Sequence, residues 1–196
     1  MNALPESLVN TFRANHQQNP DVVMLADGSY VVVWQSQSQD DGSTWGVYFQ
    51  RFSADGAALG PELRANALAA GNQTNPHVAA TSDGGFVITW DDASGIDGSS
   101  DAVVGQRYDA QGAAQGSNFV VNSTTANWQN DSEVVGYSGG FATVWIDYRS
   151  GGYDVYMQRW DNAGAKVGVE TLVGTAVGSA AAQAGQQAQP AVSARA

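Results

Sequence analysis

The chain of 196 residues has no cysteine. This excludes disulfides and thiolate metal sites, and it leaves the compartment open. Positive charge is scarce too: Lys and Arg number 8 against 19 Asp and Glu, for a formal net charge of −11. A field of that sign repels phosphate backbones and anionic lipid, so neither nucleic acid nor membrane insertion is expected. Cations and neutral ligands such as glycans remain as partners. No apolar run approaches the roughly 20 residues of a membrane-spanning helix. Met1 to Val9 lacks the basic start and apolar run of a secretory signal, so export would depend on a signal elsewhere in a longer parent chain or on a route without an N-terminal signal. The patterns G-x-S-x-G and H-E-x-x-H and the phosphate-binding loop are all missing. His16 and His77 are the only histidines, and neither stands near a Ser or Cys motif. Catalysis is therefore not expected.

What the chain does contain is a repeat. Tyr30-Val31-Val32-Val33-Trp34 returns as Phe86-Val87-Ile88-Thr89-Trp90 and as Phe141-Ala142-Thr143-Val144-Trp145. The copies lie about 55 residues apart, a period typical of stacked supersecondary units. Each is preceded by a short strand (residues 22–26, 78–81 and 133–137) and a Gly-containing turn. Asp27-Gly28 predicts a type I′ hairpin, with φ > 0 at both residues. Each copy continues through a polar loop, a third strand (47–52, 103–108, 155–160), another turn and a fourth strand (62–66, 118–122, 170–173). Asn19-Pro20 and Asn75-Pro76 read as opening turns.

The expected fold is all-β, a β-propeller-like array of four-stranded antiparallel blades, with a sandwich or β-solenoid as the alternative. Within each Trp strand both faces are apolar, as for an inner strand buried between two sheets. The division is residues 1–15 as the last strand of a preceding blade, then whole blades at 16–70, 71–125 and 126–173. Residues 174–184 read as a linker and 185–196 as the first strand of a fourth blade. Three blades leave terminal sheet faces uncovered. The chain is therefore expected to join further blades, in a homo-oligomer or in a longer chain.

Two loop features carry candidate chemistry. Asp91, Asp92, Asp97 and Asp101 place four carboxylates within a short loop, a set suited to Ca2+. Most aromatics are claimed as core by the repeat. Trp128, Tyr148 and Tyr153 fall outside it, and with the loop residue Trp45 they are the candidates for an exposed ligand platform. Gln50-Arg51, Gln106-Arg107 and Gln158-Arg159 recur with the third strands. They read as structural hydrogen bonds to turn carbonyls or ion pairs, the alternative being three arginines converging on a carboxylate ligand.

Ser38-Gln39-Asp40-Asp41-Gly42-Ser43-Thr44-Trp45 resembles the Asp-box of sialidase-type propellers. The resemblance implies a structural turn in which Ser38, Asp40, Gly42 and Trp45 hold adjoining strands. The pattern N-P-x-V-A-x-x-x-D-G-G-F-V-I-T-W … Q-R-Y-D-A-x-G, from Asn75 to Gly112, resembles repeats of large secreted bacterial proteins of the RTX, or haemolysin-type calcium-binding, kind. Asn19 to Gly60 and Asn130 to Gly168 carry it more loosely. This resemblance implies a secreted or cell-surface module; the calcium-binding nonapeptides G-G-x-G-x-D of that family do not occur here. The expected function is binding or adhesion with a glycan ligand. The alternatives are a self-assembling structural unit and, third, a sialidase-like glycoside hydrolase.

Overall fold

The computed structural model describes residues 6–39, 44–99 and 101–173. It is all-β, with three four-stranded antiparallel sheets and no helix among the described residues. The first sheet is β1 (Gln17–Met24), β2 (Tyr30–Gln37), β3 (Trp45–Phe52) and β4 (Leu63–Arg64). The second is β5 (Gln73–Ala80), β6 (Phe86–Asp92), β7 (Ala102–Tyr108) and β8 (Ala114–Val120). The third is β9 (Gln129–Tyr137), β10 (Gly140–Asp147), β11 (Asp154–Asp161) and β12 (Lys166–Leu172). Strands pair in chain order within each sheet, so each is an up-and-down meander. Of the segment placed at the end of a preceding blade, residues 6–15 are in no strand and residues 1–5 lie outside the described residues. The linker 174–184 and the strand at 185–196 lie outside the described residues.

Two apolar layers join the sheets in sequence. Val31, Val33, Val47 and Phe49 of the first sheet pack against Phe86, Ile88, Trp90, Val104 and Tyr108 of the second. The opposite face of the second, Val87 and Val103, packs with Val121 against Phe141, Trp145 and Trp160 of the third. Side chains alternate across a strand, so one Trp strand feeds both layers. Every residue of β6 and β10 is buried. Burying Trp90 or Trp145 in full contributes on the order of 3 kcal/mol.

The turns differ from the expected type. At Asp27-Gly28 only Gly28 has a positive φ, of 83°. Gly28 N–H donates to Leu25 O, and Leu25 N–H to Ser29 O. This is a three-residue loop, a type I turn closed by a glycine bulge. Thr81–Gly85 repeats it with Gly84. The Asp27 carboxylate accepts from the Ser29 amide at 2.9 Å and from its hydroxyl, which favours the type I form over type I′.

The first strands also begin earlier than expected. Asn19, Asn75 and Asp131 are interior residues of β1, β5 and β9 with φ of 52°, 49° and 50°. Each coincides with a register shift against the neighbouring strand. They are bulges rather than opening turns. Asn and Asp tolerate the left-handed region, and Pro20 and Pro76, which lack an N–H, are tolerated at a bulge.

Candidate functional site

Trp128 lies 20 residues before Tyr148 in the chain, and the fold brings it together with Tyr148 and Tyr153. The Trp128 and Tyr148 rings lie 5.8 Å apart at 30°, and Tyr148 and Tyr153 lie 5.2 Å apart at 53°. Trp128 is 49% exposed, and both tyrosines are half-buried. The support is backbone. Trp128 immediately precedes β9, and its carbonyl accepts from Tyr148 N–H at 3.0 Å. Tyr148 follows β10 directly, and Gly151 N–H closes the tight turn onto Tyr148 O. Asn127, with φ 63°, donates its side-chain amide to the same carbonyl at 3.4 Å. A short loop and a strand end thus present three ring faces on one surface.

The fourth aromatic candidate is elsewhere. Trp45 begins β3 in the first sheet, half-buried, and its N–H donates to Asn72 Oδ1 at 3.2 Å. Of the Asp-box, Ser38 has φ 57° and donates its N–H to Thr44 O at 2.8 Å. Asp40 and Gly42 lie outside the described residues.

The four aspartates of the second loop do not form one set. Asp91 and Asp92 are consecutive on β6 and so point to opposite faces. Asp92 accepts from the Trp90 indole N–H at 3.2 Å and from Ser94 N–H at 2.8 Å. Asp97 accepts from Ser99 N–H and from the Asn122 amide. Burial, with the charges of Asp92 and Asp97, raises the Asp101 pKa. These three are therefore near one another, and two of them are occupied by turn and capping bonds. Among the described residues no group of three or more His, Asp or Glu side chains is arranged to hold a metal ion. The loop does border the aromatic patch: Ser99 Oγ donates to Asn127 O at 3.1 Å, and Gln129 N–H donates to Asp101 O.

The three repeated arginines do not converge. Arg51 donates to Gln111 O at 2.6 Å, and Arg107 donates to Asn162 O. Each thus reaches from its own sheet to a turn carbonyl of the next. Arg159 lies over the Tyr137 ring at 5.0 Å.

A second polar cluster occupies the side-by-side first strands. Asn19 Nδ2 donates to Asn75 Oδ1 at 2.9 Å, and Asn75 Nδ2 donates to Asp131 Oδ1 at 3.3 Å and to Asp91 Oδ2 at 2.9 Å. Two residues along each strand stand Asp21, His77 and Glu133. His77 Nδ1 lies 3.6 Å from Asp21 and 3.5 Å from Glu133. Burial pulls the His77 pKa down, but Asp21 and Glu133 outweigh it and hold it above the ordinary value. Burial pushes Asp91 up to about 7, against the opposing bonds from Asn75 and the Asp131 amide. The signal for this cluster is the repeat period itself, which sets Asn19, Asn75 and Asp131 in register and a titratable residue two places after each. The Asn-Pro pairs drew attention as turns and hid it.

No protein-family model and no curated protein sequence matches the chain. Its function therefore rests on its own geometry.

Proposed function

We propose that the three sheets are blades of a β-propeller-like array, and that the chain is a non-catalytic carbohydrate-binding module serving adhesion in a secreted or cell-surface protein. The observation that carries this reading is the Trp128–Tyr148–Tyr153 patch. These rings are not needed by the repeat, yet they gather at one surface with Trp128 half open to solvent. Sugar rings present C–H faces that pack on aromatic faces, while their hydroxyls seek polar groups at the rim. Asn127 and Asp154, the chain neighbours of Trp128 and Tyr153, stand beside these rings, with Ser99 bonded to Asn127 and Ser150 to Asp154, and would form such a rim. Arg149, next to Tyr148 in the chain, is engaged by Asp147 at 2.5 Å and by Glu170 at 2.6 Å. With that charge neutralised and a net charge of −11, neutral glycans are favoured over sialylated or uronic ones.

The test is a glycan array probed with the intact chain. Binding concentrated on neutral glycans, and lost in Trp128→Ala, is expected. An array with no signal, or one in which only anionic glycans respond, overturns the proposal.

A further inference from the structure

The repeat supplies a rule for how one sheet receives the sheet before it. In the second sheet, Val78, Phe86 and Ile88 face the first sheet, and their exposures are 6%, 0% and 0%. The third-sheet counterparts, Val134, Phe141 and Thr143, are as closed. The first-sheet counterparts are Val22, Tyr30 and Val32. Val22 is 60% exposed, and Tyr30 and Val32 are only half-buried. Met24, beside them on β1, is 70% exposed. Among the described residues no sheet covers this face, which elsewhere takes a preceding sheet.

The rim of that face is already set for an occupant. Asn118 Oδ1 accepts from Ala67 N–H at 2.6 Å, and Glu170 accepts from Ser123 N–H at 2.8 Å. In both, the segment leaving one sheet is pinned to the outer strand of the next. Glu62 accepts in the same way from Thr11 N–H at 2.7 Å. Asn10 also donates to Gln17 Oε1, as Asn66 does to Gln73 and Asn122 does to Gln129. The first sheet thus carries the bonds of a junction with a preceding sheet.

The donor half of such a junction sits at the other end. Arg51 and Arg107 each hand a guanidinium to a turn of the following sheet. Arg159, their counterpart, is exposed and reaches no sheet beyond its own among the described residues. Val155 and Met157 stand where Val47 and Phe49 enter the first apolar layer.

We infer that the open face of the first sheet docks the third sheet of a second copy of this chain, head to tail, with Arg159 of that copy donating to the Ala54 or Asp55 carbonyl in the β3–β4 turn. Both faces are used once per chain, so the contact is heterologous rather than twofold. Residues 6–9, which are in no strand, give way to the second copy's β12, while Asn10 and Thr11 keep their bonds to Gln17 and Glu62. The inference is independent of the carbohydrate reading.

Light scattering after size exclusion, over a range of concentrations, tests it. Wild type is expected to gain mass above the monomer as concentration rises. Val22→Lys/Met24→Lys alters two exposed side chains and is expected to stay monomeric with an unchanged far-ultraviolet spectrum. Arg159→Ala is expected to weaken association about tenfold, the effect of losing one charge-assisted hydrogen bond. Wild type that remains monomeric throughout overturns the inference. So does a double-lysine chain that assembles like wild type. Should that variant misfold, undiminished assembly of Arg159→Ala overturns it instead.

Discussion

Gly136 on β9 shows how closely the sheets approach. A Cβ there would lie 1.8 Å from Ala80 O on β5. Backbone cannot yield as a flexible side-chain tip does, so Gly136→Ala must push the second and third sheets apart. The expected loss is about 3 kcal/mol, read as a lower midpoint in urea. Trp128→Ala sits at the other extreme. At 49% exposure and outside both apolar layers, it is expected to change stability by under about 0.5 kcal/mol while abolishing carbohydrate binding. Both residues were unequally visible beforehand. Trp128, Tyr148 and Tyr153 could be singled out because the repeat explains the other aromatics and leaves these over. That Trp45 would part from them could not be seen, since it depends on which sheet each loop crowns. Gly136 gave no signal, because close approach between sheets is a property of packing rather than of local sequence.

Strand assignment followed the same division. The Trp strands and the turn glycines were legible because a repeated run that is apolar on both faces, and a turn's need for φ > 0, are written in residue type. The starts of β1, β5 and β9 were not. Asn-Pro is ambiguous between a turn and a bulge, and only the neighbouring strand decides. Those strands, with Asp91 of β6 bonded to Asn75 and Asp131 on them, carry the chain's pH response. Asp91 has a folded pKa of about 7, far above its ordinary value, because of burial. A carboxylate raised in this way contributes stability below its unfolded pKa, near 4, and loses it as pH rises through the folded value. His77, also raised, acts in the same direction, from its unfolded value upward. Asp21, lowered on balance, acts oppositely, and only in acid. The melting temperature is therefore expected to fall between about pH 5 and pH 8. Asp91→Asn should flatten that slope in calorimetry; a slope that persists unchanged would remove Asp91 as its source.

Across the whole molecule, each sheet after the first is fastened to its predecessor by one apolar layer, one Arg-to-turn bond and one outer-strand carboxylate or amide. This is the economy of a repeat array, in which neighbours supply most of the stability. Its loops are free to differ, and the aspartate loop is one instance. With Asp92 and Asp97 committed to turn and capping bonds, millimolar Ca2+ is expected to leave the melting temperature unchanged. An upward shift of several degrees would restore the loop as a calcium site. The aromatic patch is the other instance, and the carbohydrate-binding reading stands or falls on it. Isothermal titration calorimetry of the strongest neutral array ligand, against wild type and Trp128→Ala, measures it directly. A dissociation constant at least about tenfold weaker in the variant, corresponding to some 1.4 kcal/mol, with matching melting curves, is the predicted result; equal affinity in the two proteins would contradict it.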